Sequence, residues 1–64
     1  MYTPLITPES VDYTVGQLAL LQASGHDVGA IASEYADAVT RDDGETEQDI
    51  ALQIERDYNR LFYP

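Results

Sequence analysis

Carboxylates are the residues of this chain whose number and spacing could do chemistry. Twelve Asp and Glu stand against three Arg and no Lys in 64 residues, which gives a formal net charge of −9. Nine of the twelve acids fall between residues 34 and 57. Clustered carboxylates have three chemical uses in proteins, which are acid–base catalysis, metal binding and the recognition of positive charge.

Acid–base catalysis is the use that the sequence favours least. Catalytic carboxylate pairs need environments that separate their pKa values, and these acids belong to segments expected to face solvent. The only His, His26, stands beside Asp27, but such a pair before a helix is typical of a turn and a cap. A chain this short also leaves little room for a pocket. We therefore expect no enzymatic activity.

Metal binding can be tested on the acidic stretch around Gly44, which invites comparison with the calcium loop of helix–loop–helix sites. That loop needs oxygen ligands at its first, third and last positions around a turn glycine. Aligning Gly44 with the turn glycine places Val39, Arg41 and Ile50 at those positions. The chain also has no Cys to bind zinc. We expect neither a metal nor any other cofactor.

Recognition of positive charge is the third use. Helical neighbours three or four residues apart have Cβ atoms roughly 5–6 Å apart, a spacing comparable to that of successive phosphates on one strand. A protein that binds DNA phosphates through Lys and Arg could bind such carboxylates in their place. A solvated loop followed by acids at a helix N-terminus would show the same charge run without any partner. The acids predicted to bind a partner are Glu34, Asp37, Asp42, Asp43, Glu45, Glu47 and Asp49.

These acids are predicted to be held by an all-α fold, a small three-helix bundle that forms a single domain over residues 1–64. Thr7 before Pro8 is a helix-start signal, and Gly25 suits the left-handed residue that ends a helix. Asp27 can cap a second helix, and Thr46 with an acid three residues later resembles the cap of a third. The predicted helices span about 8–24, 28–40 and 47–62, after an extended N-terminal arm over 1–7.

Apolar residues at intervals of three and four supply each predicted helix with a core-facing stripe. The arm is kept out of helix by Pro4 and Pro8, so that its apolar side chains can pack across the bundle or against a partner. The predicted core consists of Val11, Val15, Leu18, Leu20 and Leu21 in the first helix, Val28, Ile31, Ala32, Tyr35, Ala36 and Val39 in the second, and Ile50, Ala51, Ile54, Tyr58, Leu61 and Phe62 in the third.

Residues 20–35, LLQASGHDVGAIASEY, resemble the entry to a helix-turn-helix as found in resolvase-like or regulator domains. The resemblance covers about a quarter of the chain. Such a family implies a positively charged recognition helix in the major groove. In this chain Glu34 and Asp37, or the acids of 42–49, would occupy the recognition helix. Phosphates would then meet carboxylates, and we expect no direct binding of nucleic acid.

In size, acidity and lack of Cys the chain resembles the DNA-mimic inhibitors of phages and mobile elements, among them anti-restriction proteins, uracil-DNA glycosylase inhibitors and anti-CRISPR proteins. The resemblance implies a stoichiometric inhibitor whose partner is a basic nucleic-acid-binding protein. Its acidic surface would occupy the nucleic-acid site of a CRISPR effector, a restriction enzyme or a repair enzyme. Association would be fast and sensitive to salt because electrostatic attraction steers it.

The alternative is a small helical interaction module or regulatory subunit, for example a homodimer, whose acidity reflects only solubility or salt adaptation. Its spare apolar residues would cover a partner helix. The N-terminus has no basic region followed by an apolar run, and no stretch reaches transmembrane length. We therefore expect no membrane association and a cytoplasmic location, in the host cell if a phage encodes the chain. The residues assigned to this module are Leu5, Ile6, Leu52 and Phe62.

Overall fold

The computed structural model describes residues 6–64, which form three α-helices. These are α1 (Pro8–Ala23), α2 (Gly29–Thr40) and α3 (Gly44–Phe62). The part of the chain that the structure describes contains no strand, so the predicted all-α fold and the three-helix bundle are confirmed. Most of the predicted arm, residues 1–5, lies outside the described residues.

Both ends of α1 are determined by the local signals in the sequence. The side chains of Thr7 and Ser10 each accept a hydrogen bond from the other residue's backbone amide, at 3.1 and 3.2 Å, and Pro8 occupies the first helical position. At the other end Gly25 has φ 91°. The amides of Gly25 and His26 donate to carbonyls of the last turn of α1, which is the Schellman motif. The predicted start and stop of α1 are confirmed.

The start of α3 differs from the prediction. Asp43 caps the helix rather than Thr46, because the Asp43 carboxylate accepts hydrogen bonds from the backbone amide of Thr46 at 3.3 Å and from its hydroxyl at 2.8 Å. Gly44 is therefore helical, and α3 begins three residues earlier than expected. At the start of α2 the Asp27 carboxylate accepts from the amide of Gly29 at 3.1 Å, although Val28 holds the cap position.

The turn between α2 and α3 places a non-glycine residue in the left-handed region. Asp42 has φ 56°, and its amide and that of Asp43 donate to the carbonyls of Val39 and Ala38 in a second Schellman motif. Because a Cβ atom is unfavourable at this φ, we expect Asp42→Gly to raise the free energy of unfolding by about 0.5–1 kcal/mol. Urea denaturation measures the change.

Asp42→Asn is the matched control for this prediction, since it removes the same charge and keeps a Cβ at the strained position. A Gly variant no more stable than the Asn variant would show that backbone strain at residue 42 is negligible.

The core is centred on α3, which packs against both other helices, whereas α1 and α2 approach each other less closely. An open apolar groove of about 480 Å³ therefore runs between α1 and α2. Among the described residues, the buried apolar side chains are Leu18, Leu21, Val28, Tyr35, Ala38, Ile50 and Ile54.

Several predicted core positions are wrong because of this arrangement. Val15 is 51% exposed and Ala36 is also exposed, since both line the open groove rather than a closed centre. Leu20 lies outside the core on α1, and Leu61 and Phe62 are exposed in the last turn of α3. The positions that the prediction missed are Thr14, Gln17, Ala38 and Glu47, all of which are buried.

Candidate acidic interface

Three of the acids predicted to bind a partner lie together in a cleft between α2 and α3. Glu34 and Asp37 enter it from α2, and Asp49 enters it from α3. The cleft has a volume of about 300 Å³ and also includes Arg41. Glu34, Asp37 and Arg41 follow one another at helical spacing, so they share a side of α2. The guanidinium nitrogen Nε of Arg41 donates to the carbonyl of Asp37 at 3.3 Å and partly offsets the negative charge.

Two further acids extend this charge along the corner between the helices. Asp42 occupies the exposed turn, and Glu45 is exposed in the first turn of α3. Glu45 precedes Asp49 by four residues, so the two carboxylates lie on one side of α3. Acidic side chains in the first turn also interact favourably with the positive end of the helix dipole. We use the term acidic face for the five exposed acids Glu34, Asp37, Asp42, Glu45 and Asp49.

Asp43 lies beside the acidic face, but its carboxylate is engaged in capping α3. Hydrogen bonds from Thr46 hold the pKa of Asp43 below its usual range. The larger contribution comes from the Thr46 hydroxyl and the smaller from its backbone amide. The group is ionised at neutral pH and adds to the local charge, but replacing it would also disturb the start of the helix. Asp43 is therefore a poor position for testing partner binding by charge reversal.

Glu47 does not lie on the acidic face, and the prediction that placed it there is wrong. Its side chain is on the α1 side of α3 and only 4% of the residue is exposed. The residues of α1 that are buried on this side are also polar, namely Thr14 and Gln17. Both have helical spacing to Leu21 and belong to its stripe on α1. That spacing could have identified them from the sequence.

Each of the three helices contributes one buried side chain whose polar atoms lack a hydrogen-bond partner among the described residues. Gln17 Nε2 and Oε1, Tyr35 Oη and Glu47 Oε2 have no hydrogen-bond partner among the described residues. Burial raises the pKa of Glu47. Burial also raises the pKa of Tyr35, and the nearby Glu47 carboxylate raises it further. The Thr14 hydroxyl lowers the pKa of Tyr35 in part, although the two hydroxyl groups do not meet hydrogen-bond geometry.

Glu47→Gln is expected to stabilise the isolated protein at pH 7 by about 1 kcal/mol, because it removes a buried charge that lacks a partner. The raised pKa means that folding opposes ionisation of Glu47, so this cost is complete only above the pKa of the folded protein. The gain should shrink as the pH falls and should vanish below the ordinary pKa of 4.5, where the carboxyl is protonated in both the folded and the unfolded state. Urea denaturation at several pH values measures it.

Glu45→Gln provides the matched control on the exposed side of the same helix, and its effect should stay within about 0.5 kcal/mol. Equal gains for the two variants would mean that relief of the net charge, rather than burial, explains the result.

The remaining candidates from the sequence, His26 and Asp27, contact different parts of the structure and not each other's side chains. Asp27 is bound to the amide of Gly29, and the Nε2 atom of His26 lies 4.0 Å from Oδ2 of Asp57 on α3. This contact joins the α1–α2 corner to α3. Within residues 6–64 no group of three or more His, Asp and Glu side chains is placed to hold a metal ion.

No protein family model matches the chain, and no curated protein or solved structure shows significant similarity to it. Among the described residues no helix is both long enough and apolar enough to cross a membrane. Besides the cleft of the acidic face, the described residues form an apolar groove between α1 and α2, a cavity between α1 and α3, and a polar hollow along α3 that includes Arg56 and Arg60.

Proposed function

We propose that the protein is a stoichiometric inhibitor that binds a basic nucleic-acid-binding protein through its acidic face. The observation that carries the proposal is the cleft that brings Glu34, Asp37 and Asp49 together, beside a corner where Asp42 and Glu45 are also exposed. Surfaces of one sign attract and orient partners of the opposite sign. This is the behaviour expected of a DNA mimic of the anti-CRISPR or anti-restriction type.

The inhibition requires no chemistry by the protein itself. Carboxylates spaced by three or four residues on rigid helices present negative charges at fixed intervals to the Lys and Arg of a nucleic-acid groove. Occupation of that groove excludes DNA by competition. Because the contact is electrostatic, binding should weaken steeply as salt increases.

A pull-down from host lysate with the tagged full chain, eluted by a salt gradient, tests the proposal. Support would be a nucleic-acid-binding protein that elutes at moderate salt and is displaced by double-stranded DNA. A partner that DNA does not displace would contradict it.

The second candidate, a helical interaction module, is favoured by the groove between α1 and α2. Within the described part of the chain this groove is lined only by uncharged residues, among them Val11, Val15 and Val39. Its shape between two helices suits an apolar helix of a partner protein. Binding in this groove should survive high salt, since burial of apolar surface drives it. Resistance to salt in the same elution therefore separates the two candidates.

A further inference from the structure

A further concave surface lies between α1 and α3, on the side of α3 opposite the acidic face. It is a cavity of about 230 Å³, which is smaller than the roughly 300–1,000 Å³ typical of pockets for drug-sized ligands. A cavity of this size suits a single side chain. The lining residues that matter here are Tyr13 and Gln17 from α1, and Glu47, Ala51, Leu52 and Glu55 from α3.

The inner wall of this cavity carries polar groups that are buried and lack partners. Gln17 and Glu47 are each only 4% exposed. Both polar atoms of the Gln17 amide and one carboxylate oxygen of Glu47 make no hydrogen bond with any described residue. Buried polar groups of native proteins are nearly always paired, and an unpaired buried carboxylate is especially costly. A ligand with hydrogen-bond donors would satisfy the two acceptors, Gln17 Oε1 and Glu47 Oε2, whereas Gln17 Nε2 is itself a donor and needs an acceptor.

The charge of the cavity selects the kind of donor. Two carboxylates, Glu47 and Glu55, line it, and no Arg is among its lining residues. A positively charged group is therefore favoured. A metal ion suits the cavity less well, because the described residues offer no cluster of three metal-binding side chains. A guanidinium group has five N–H donors in one plane, which can reach a carboxylate and an amide oxygen together.

We propose that the α1–α3 cavity binds the guanidinium of an arginine side chain that the target protein inserts. Glu47 and the Oε1 atom of Gln17 accept its hydrogen bonds. Ala51 and the exposed Leu52 cover its aliphatic stem, and the exposed Tyr13 offers an aromatic ring at the rim. This inference rests on the proposed function, since it assumes a basic partner. A basic groove that closes around α3 would contact the acidic face on one side and this cavity on the other.

The test is an NMR titration of the ¹⁵N-labelled full chain with N-acetyl-arginine amide, following the side-chain amide signals of Gln17. We expect saturable shifts. N-acetyl-citrulline amide has nearly the same shape without the charge, and should bind at least about tenfold more weakly. Glu47→Gln should weaken binding of the arginine probe by about tenfold, whereas Glu9→Gln, at an exposed acid of α1 outside both this cavity and the acidic face, should leave its affinity unchanged.

Equal binding of the arginine and citrulline probes would overturn the proposal, and so would full affinity in a Glu47→Gln variant whose amide spectrum shows it folded. Binding of free arginine without binding of the blocked probe would also overturn it, because the ligand would then be a free amino acid rather than a side chain. This titration contains no target protein. Its failure therefore leaves the DNA-competition result intact, and a failed competition leaves the titration intact.

Discussion

Ile54→Asp should leave the protein unfolded at neutral pH and room temperature. Ile54 is only 1% exposed and lies in α3, the helix that packs against both others. The substitution removes a large apolar side chain from the core and buries a carboxylate there, a combination that costs more than about 4 kcal/mol. The core of a domain this small rarely supplies more than about 3–5 kcal/mol of net stability, so a loss of this size leaves the variant unfolded.

Far-UV circular dichroism and thermal melting measure the effect, with Leu52→Asp as the control. Leu52 lies two residues away on the same helix and is 50% exposed, so the same new charge remains in solvent. We expect the control to keep its helicity and its cooperative melt. A folded Ile54→Asp protein would contradict the central position of α3.

Helix ends were predictable from the sequence where one signal stood alone. Thr7, Pro8 and Gly25 each have a single favourable role, and the structure uses them in those roles. At the start of α3 two good caps compete, Asp43 and Thr46. The carboxylate of Asp43 accepts from both the amide and the hydroxyl of Thr46, and this pairing moves the helix start upstream. Local propensity alone does not predict which of two good capping residues, three positions apart, will begin the helix.

The core was predicted less well than the helices because periodicity gives the apolar side of a helix but not its neighbour. Val15 and Ala36 belong to apolar stripes, yet α1 and α2 diverge and leave both residues in an open groove. Ala38 is buried although it lies outside the predicted stripe of α2. Which side of α1 and of α2 is buried depends on how each helix packs on α3, and this packing is not encoded in the periodicity of either helix alone.

The candidate site shows the same limit at Glu47. The sequence presents Glu45, Glu47 and Asp49 as one acidic run, which suggests one surface if the run is a loop. Because this run lies inside α3, residues two apart point to nearly opposite sides of the helix. Glu45 and Asp49 therefore share the acidic face while Glu47 is buried against α1. Helical spacing already pointed to burial, because Glu47 precedes the core residue Ile50 by three positions and shares its side of α3.

Reversing Glu34 and Asp37 together to Lys is expected to weaken binding to the captured target by about 10- to 100-fold. The double variant turns two attractive contacts of the acidic face into repulsive ones, and charge pairs at protein interfaces contribute on the order of 1 kcal/mol or more each. Both side chains are exposed on α2, so the fold should tolerate the change. Surface plasmon resonance at several salt concentrations would measure the affinity and its salt dependence.

Glu9 and Asp12 supply the matched control, since this Glu–Asp pair has the same spacing, is exposed on α1, and lies outside the acidic face. Reversing it changes the net charge equally, so equal weakening by both variants would indicate general attraction rather than a defined surface. Arg41→Gln should act in the opposite direction and tighten binding, because Arg41 is the positive group of the cleft. We expect Arg41→Gln to bind the target more tightly, and the Glu34/Asp37 reversal to bind it more weakly than the Glu9/Asp12 reversal does. These two results together would show that the target contacts the acidic face itself.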